Sequence, residues 1–413
     1  MRTLVRTLLS LSVLHWLTSI GVVLTTASAI VFLVLVFQPV DNPYFGIVVF
    51  VVIPALFVLG LIFMPVGVWV AARHAGGYHR LWAQVPADAS RTGRLAWAFA
   101  FATLANVGII GAASYRSVGY LDSKQFCGQT CHPVMQPQHV RHQHSPHANV
   151  ACVDCHIGPG ASSFVQYKLA GVRQLVALAT DTYERPIPPA KTTMRPADEI
   201  CEECHFAGRV RDDRIKVIRH YDDDENSTEK TTVLLMRTDR IHAAHVGRDI
   251  EYVSADADAQ MITSVTVDSK TYAPQGAAAG GNTRKMDCID CHNRIGHDFE
   301  LPETAVDRFI AAERLDRSRP FTRRDAVAML KSGMPAPELR VVYSENVFPA
   351  MNVGWGTYPN NIGHDKFPGC FRCHGGEHVT QSGDAITQDC AACHEPVAVE
   401  EQNSEILAKL GLQ

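Results

Sequence analysis

The decisive stretch of this sequence is Asp287-Cys-Ile-Asp-Cys-His-Asn-Arg-Ile-Gly-His297. It contains two cysteines separated by two residues, with a histidine directly after the second cysteine. Cys-x-x-Cys-His is the attachment signature of c-type haem. The chemistry explains the spacing, because two thiols add to the two vinyl groups of one porphyrin and the adjacent histidine is placed beneath the iron as its proximal ligand.

The same pattern uses every cysteine of the chain. All 12 cysteines fall into six motifs, five of them regular and one stretched by one residue. The regular motifs comprise Cys152 and Cys155 with His156, Cys201 and Cys204 with His205, Cys288 and Cys291 with His292, Cys370 and Cys373 with His374, and Cys390 and Cys393 with His394. The stretched motif is Cys127-Gly-Gln-Thr-Cys131-His132, the first in the chain. We therefore predict six covalently bound c-type haems.

Zinc knuckles and dithiol redox sites also use paired cysteines. Neither requires a histidine directly after the second cysteine, whereas all six pairs here have one. For the stretched motif the alternative is a disulfide between Cys127 and Cys131, against which the trailing His132 argues. Because covalent haem is attached outside the cytoplasm, the six motifs predict a bacterial protein whose haem domain faces the periplasm.

The N-terminal third predicts a membrane anchor. Apolar segments cover roughly 17–37, 45–71 and 95–115, and Asp41 is the only charged residue between positions 17 and 72. Each segment reaches the roughly 20 residues that a helix needs to cross the hydrocarbon core. The alternatives are buried core helices or a cleaved signal peptide, but the segments are too long and too many for a signal peptide. We expect three transmembrane helices.

The basic residues predict the orientation of these helices. Arg2 and Arg6 precede the first segment, and the 72–94 loop carries four arginines against one aspartate. Positive charge marks the cytoplasmic side, so three crossings place everything after Arg116 in the periplasm of an inner-membrane protein. The second and third segments contain no histidine, so we interpret the helices as an anchor that contacts lipid and can shape a quinone site or dock a partner.

The fold class that we expect is a mainly α membrane anchor followed by a haem-packed, loop-rich multihaem cytochrome c domain with a small β-rich insertion. Four segments rich in β-branched residues predict strands, at 215–221, 231–237, 250–254 and 262–267. Apolar residues at helical spacing predict helices at 304–315 and 322–330, and small residues predict a loop at 276–283. We predict that residues 1–94 form two transmembrane helices and a cytoplasmic loop, and that residues 95–120 form the third transmembrane helix and a tether. A tetrahaem domain is predicted at 121–298, with the β-rich insertion at about 206–287. A C-terminal dihaem region is predicted at 299–413.

Ten further histidines follow the anchor and could close the far side of an iron: His139, His142, His144, His147, His220, His242, His245, His297, His364 and His378. An iron with two imidazoles suits electron transfer, because both axial positions are closed. His364 lies six residues before Cys370, and His378 lies four residues after His374. Proximity therefore predicts both as distal ligands of the last two haems, in an order that the sequence leaves open. The alternative is that one of them is solvated.

Residues 127–297 resemble the NapC/NirT family of tetrahaem quinol dehydrogenases. The matching features are Cys131-His-Pro-Val-Met135, Ser145-Pro-His147, Ala151-Cys-Val-Asp-Cys-His156 and the 287–297 stretch quoted above. The whole layout is similar to that of the ImcH-like inner-membrane cytochromes of metal-reducing bacteria, which oxidise menaquinol and feed periplasmic cytochromes. The chain departs from the simpler members in its stretched first motif, in a methionine three residues past the histidine rather than two, in the insertion and in two extra motifs.

This resemblance implies roles for individual residues. His147 and His297 would be distal ligands in the tetrahaem core, and Met135 a candidate ligand of the first haem. Lys168, twelve residues past His156, matches a lysine near the first haem and the quinol pocket, although a contact with lipid phosphate is the alternative. His242 and His245, in Ile241-His-Ala-Ala-His245, are further distal candidates. We expect the first haem to differ from the others, with Met135 or His132 on one side and a weakly ligated opposite face.

The leading functional hypothesis is a quinol dehydrogenase that passes electrons from the quinone pool to periplasmic c-type cytochromes or a terminal reductase in anaerobic respiration, of which extracellular electron transfer is one form. Arg116 lies 11 residues before Cys127, so the first haem is tethered within about 36 Å of the membrane. A passive electron-transfer subunit is the alternative. A nitrite or hydroxylamine reductase is disfavoured because no Cys-x-x-Cys-Lys occurs. The net charge of −4 gives no footprint for nucleic acid.

Overall fold

The computed structural model describes residues 15–35, 48–83, 108–109, 111–112, 115–116, 119–130, 134–158, 161–189, 194–205, 212–276, 280–402 and 405–411. These residues belong to two compact units, Met1–His132 and Pro133–Gln413. The two units are described separately below.

The first unit is built on two long helices, α1 (Trp16–Leu35) and α2 (Ile53–His74), which pack against each other. A π-helical turn, Val48–Val52, leads into α2, and a short helix α3 (Tyr78–Ala83) follows it. The helices approach closely through small residues: a Cβ atom placed on Gly60 would overlap Thr25 Oγ1, and one on Gly67 would overlap Thr18 Oγ1. Close contacts between glycine and small hydroxyl residues are typical of helix pairs in membranes.

Polarity in this helix pair is the reverse of that in a soluble protein. Thr18, Thr25 and Ser28 are buried between the helices, whereas Val23 and Ile62 are 67% and 51% exposed. The Thr25 hydroxyl donates to the Gly21 carbonyl oxygen at 2.7 Å, so its polar group is satisfied within its own helix. An apolar exterior of this kind suits a lipid environment.

Within the described residues, one helix, α2, is long and apolar enough to cross a membrane. The apolar part of α1, Trp16–Phe32, falls short of that length, and most of the third predicted segment, 95–115, lies outside the described residues. The described residues thus contain one membrane-length helix, and the three helices predicted from the sequence stay a prediction.

The second unit mixes helices with two antiparallel sheets. Its helices are α4 (Gln136–Gln143), α5 (Cys152–His156), α6 (Ala161–Ala179), α7 (Ala197–Cys201), α8 (Thr238–His245), α9 (Cys288–Cys291), α10 (Pro302–Ala311), α11 (Thr322–Ser332), α12 (Arg340–Asn346), α13 (Phe371–His374), α14 (Cys390–Cys393) and α15 (Glu405–Lys409). Its strands are β1 (Arg214–Tyr221), β2 (Glu229–Met236), β3 (Ile250–Ser254), β4 (Ile262–Val267), β5 (Lys270–Tyr272), β6 (Asn282–Lys285) and β7 (His394–Glu401). The sheet orders are β1-β2-β7 and β5-β4-β3-β6.

The predicted strands and helices of this unit are present. Strands β3 and β4 have the predicted bounds, β1 and β2 lie within two residues of theirs, and α10 and α11 overlap the two predicted helices. The sequence analysis missed β7, which starts at the histidine of the last motif and pairs with β2, so that His394 lies opposite Met236. The first hairpin of the predicted insertion therefore shares a sheet with the C-terminal region.

Apolar packing in this unit is divided among small clusters. The largest joins α10, α11 and α12 around residues such as Val306, Leu330 and Val342, with Tyr221 of β1 against them. A second cluster lies on the β3–β4 sheet and includes Tyr252 and Ile262, with Cys373 of the fifth motif packed against it. The sheet thereby fixes one of the predicted attachment segments in place.

Candidate haem sites

Short helical turns carry the regular attachment motifs. Four of the five regular cysteine pairs lie in or at the ends of α5, α9, α13 and α14, and the pair at 201–204 begins at the end of α7. Two of the turns are capped by an aspartate directly before the first cysteine: Asp287 accepts from Ile289 N, and Asp389 from Ala391 N, both at 3.0 Å. An N-cap fixes where the turn starts, so the sequence also fixes where its cysteines stand.

The histidine that ends each regular motif lies opposite a second histidine from elsewhere in the chain. The ring centroids are 6.0 Å apart for His205 and His147, 6.3 Å for His156 and His297, 6.3 Å for His292 and His242, 5.9 Å for His374 and His245, and 6.0 Å for His394 and His364. Metal–imidazole bonds are about 2 Å long and the ring centre lies about 1 Å beyond the nitrogen, so two imidazoles on one metal have centroids about 6 Å apart. All five pairs meet this requirement.

Hydrogen bonding and burial prepare several of these rings for metal binding. His245 Nδ1 lies 2.7 Å from the Ile241 carbonyl oxygen, and His374 Nδ1 lies 2.8 Å from that of Thr387. Such a bond at Nδ1 orients the ring and leaves Nε2 for a metal. Burial lowers the pKa of His297 to about 3 and lowers the pKa of His156 and His292 below their ordinary value. These imidazoles are therefore neutral, which is the metal-binding form.

Other predicted site residues lie elsewhere. His378 is buried, at 4% exposure, and its Nε2 lies 3.1 Å from the Ile262 carbonyl oxygen. His374 lies near enough to interact with it, but among the described residues the His374 ring is paired with that of His245. Met135 is half-buried directly before α4. Lys168 lies in α6, with its side chain outside the described residues, as are Cys131 and His132 entirely.

Consecutive attachment motifs are neighbours in space. Helix α7 packs against both α5 and α9, and the Cys201 and Cys288 side chains lie close together. Arg372 lies inside the fifth motif and Asp290 inside the fourth motif. The Arg372 guanidinium donates a hydrogen bond to the Asp290 carbonyl oxygen at 2.6 Å. Phe371, beside Arg372, stacks at 4.1 Å on His364, which faces the sixth motif. The second to sixth motifs are thus arranged in space in the same order as in the chain. The sequence alone could not show this arrangement.

A buried polar network supports the junction of the fourth and fifth motifs. The Tyr252 hydroxyl donates to Asp290 Oδ1 at 2.6 Å, and the Arg284 guanidinium lies 3.3 Å from the same oxygen. Asn361 Nδ2 donates to the Asp290 carbonyl oxygen at 2.9 Å. Burial and then the Asp290 charge raise the pKa of Tyr252, so the phenol stays protonated and can keep donating. The network holds the fourth motif rigidly.

Two known proteins are similar in sequence to this chain. The chain is 32% identical to the cytochrome c-type protein ImcH of Geobacter sulfurreducens, over an alignment of 426 positions that covers 88% of this chain and 83% of that protein. The chain belongs to the ImcH family of multihaem c-type cytochromes. It is also 31% identical over 108 residues to the cytochrome c nitrite reductase subunit NrfH of Nitratidesulfovibrio vulgaris, covering 26% of this chain and 67% of NrfH. No protein-family profile and no solved structure matches the chain.

Membership of this ImcH-type family means covalently bound haem and electron transfer. The residues present fit that cofactor, since the motif thiols stand beside paired imidazoles. Within the described residues, no three or more His, Cys, Asp and Glu side chains form a group that could hold a metal ion. The separation of the paired histidines fits two imidazoles on one haem iron.

Proposed function

We propose that this protein is an inner-membrane hexahaem cytochrome that oxidises menaquinol and passes the electrons to periplasmic c-type cytochromes. The observation that carries the proposal is the set of five histidine pairs, in which every regular motif histidine faces an imidazole from elsewhere in the chain. Two imidazoles close both axial positions of an iron, which suits electron transfer and leaves no position for a substrate.

The proposed ligand sets follow from these pairs. The second to sixth haems are held by His156 and His297, His205 and His147, His292 and His242, His374 and His245, and His394 and His364, respectively. His378 is not a ligand in this assignment. The first haem is held by Cys127 and Cys131 with His132, and Met135 remains its candidate second ligand. When bound, each haem supplies one-electron chemistry.

Helix α8 supports a continuous route through the periplasmic domain. His242 and His245 are three residues apart on this helix and therefore lie on one face, about 4.5 Å apart along the axis. They face histidines of consecutive motifs, His292 and His374. One helical turn from the insertion thus supplies distal ligands to the fourth and fifth haems, and it joins the tetrahaem part to the C-terminal pair.

The membrane end of the route supports quinol as the electron donor. The apolar exterior of the α1–α2 pair is suited to lipid, and the short interval between Arg116 and Cys127 keeps the first haem near the anchor. Quinol releases two protons with its two electrons, so the site needs a proton-accepting or headgroup-binding group. Lys168, on α6 soon after the second motif, is the proposed residue for that role.

Reduction of the purified protein in lipid vesicles by a menaquinol analogue tests this proposal, with a ubiquinol analogue and dithionite in parallel. We expect the haem absorbance to shift to the reduced form with menaquinol, without any added subunit. NrfH is named as a subunit of a nitrite reductase, which makes a passive relay the second candidate. Reduction by dithionite but by neither quinol would reject quinol oxidation and favour that relay.

A further inference from the structure

Arg294 is a buried charge without a counter-ion among the residues that the structure describes. It lies two residues after His292 and three before His297, its exposure is 8%, and its Nε has no hydrogen-bond partner. Its guanidinium stands 4.5 Å from the centre of the Tyr358 ring. Among the described residues, no carboxylate lies within ion-pair distance of it, since Asp258 and Asp298 act only from farther away.

The other buried arginine of the described residues is satisfied differently. Arg141 is 5% exposed; its Nε donates to the Asp298 carbonyl oxygen at 2.6 Å, and its guanidinium lies 3.5 Å from Glu300. Taking a guanidinium out of water is costly unless an anion compensates it. The protein provides such an anion for Arg141, whereas none of the described residues provides one for Arg294 at ion-pair distance.

The surroundings place Arg294 beside the His156–His297 pair. Arg294 O accepts a hydrogen bond from His297 N at 3.2 Å, so the two residues share one tight turn. The ring beneath Arg294, Tyr358, is bound to α4 through Gln138 at 3.4 Å. Arg141, also on α4, holds the carbonyl of Asp298, the residue after His297. Arg294 is therefore held beside His297.

We propose that Arg294 binds a propionate carboxylate of the second haem, the one attached at Cys152 and Cys155, and thereby raises the reduction potential of that haem. This inference rests on the haem assignment under the proposed function. The planar guanidinium matches a carboxylate with two parallel N–H donors, and such charge-assisted bonds are strong when they are buried. A buried positive charge next to the haem favours the ferrous state, because reduction removes one positive charge from the iron.

A redox titration of the full-length protein in detergent tests the role of Arg294, with the parent compared with Arg294→Gln, Arg294→Lys and Arg324→Gln. The last variant is the control, because Arg324 also lies over an aromatic ring, Phe321 at 3.9 Å, but is half exposed and paired with Asp325. We expect Arg294→Gln to retain six haems by mass and a low-spin spectrum, with one midpoint shifted downward. Arg294→Lys should keep that midpoint potential close to the parent value, and Arg324→Gln should leave all midpoint potentials unchanged.

The possible results separate this inference from the proposed function. A parent protein without low-spin, histidine-paired haems would reject the ligand assignment itself. If the parent is as proposed but Arg294→Gln titrates like the parent, or Arg324→Gln shifts equally, the role of Arg294 is refuted. If the Gln variant loses one haem and the Lys variant keeps it, the positive charge is needed for binding and the inference stands. Loss of a haem in both variants would assign Arg294 a structural role only and overturn it.

Discussion

Replacing His364 or His378 with alanine should have opposite effects on the haem spectrum. The two histidines flank the fifth motif at similar distances in sequence, so the sequence predicts both as distal ligands. The structure separates them, because the His364 ring faces His394 with centroids 6.0 Å apart, whereas His378 Nε2 is engaged with the Ile262 carbonyl oxygen at 3.1 Å. We expect His364→Ala to open one iron and His378→Ala to open none.

The magnitudes follow from the two environments. With six attachment motifs in the chain, an open iron in His364→Ala converts about one sixth of the haem to a high-spin, carbon monoxide-binding form. In His378→Ala the protein loses a buried hydrogen bond, worth about 1 kcal/mol, and gains a small cavity. Together these should lower the free energy of unfolding by about 2–3 kcal/mol while all haems stay low-spin.

Magnetic circular dichroism and carbon monoxide titration of both variants measure the outcome, with denaturant unfolding followed by tryptophan fluorescence as the stability assay. The haem count by mass should remain six in each variant. Carbon monoxide binding by His378→Ala, together with a low-spin His364→Ala, would refute the pairing argument. It would show that ring separation in this structure does not identify the distal ligand.

Four further predictions concern other parts of the molecule. The mass of the intact protein should exceed that of its 45.3 kDa polypeptide by six haems. An added mass of only five haems would mean that the stretched first motif is unused. Lys168→Ala should slow reduction by a menaquinol analogue in vesicles while leaving reduction by dithionite and the haem count unchanged. Gly60→Val should destabilise the α1–α2 pair by about 1–3 kcal/mol, seen as a lower melting temperature in detergent, because the new side chain overlaps Thr25. Tyr252→Phe should cost about 1.5–3 kcal/mol in denaturant unfolding, because Asp290 loses a buried donor.

Matched variants serve as controls for three of these. Arg173→Ala changes another basic residue of α6, and equal quinol rates in Lys168→Ala and the parent would remove Lys168 from the site. Leu59→Val alters an outward-facing position next to Gly60 and should leave the melting temperature unchanged. Tyr272→Phe removes a hydroxyl in the short strand β5, and a loss as large as that in Tyr252→Phe would argue against the Asp290 network.

Local chemistry was readable from sequence because each attachment motif is complete within five or six residues. The strands β3 and β4 were predicted with their bounds, since runs of β-branched residues between turn residues specify them locally. The anchor was only partly predictable: hydropathy found the α2 segment, but not the small-residue contacts of Gly60 and Gly67 that join it to α1.

The sequence by itself predicts which side chains hold haem, because thioether attachment needs two cysteines and a histidine that are close together in the chain. It did not specify which histidine lies opposite each motif, and it predicted His378 and His364 equally as distal ligands. Only the tertiary structure distinguishes them, because it brings the His364 ring opposite His394 and places His378 Nε2 on the Ile262 carbonyl oxygen. His297 meets His156 across 141 positions of sequence, and β7 pairs with β2 although over 150 residues separate them. Such long-range contacts depend on the packing of whole elements, so no local pattern around either residue could have specified them.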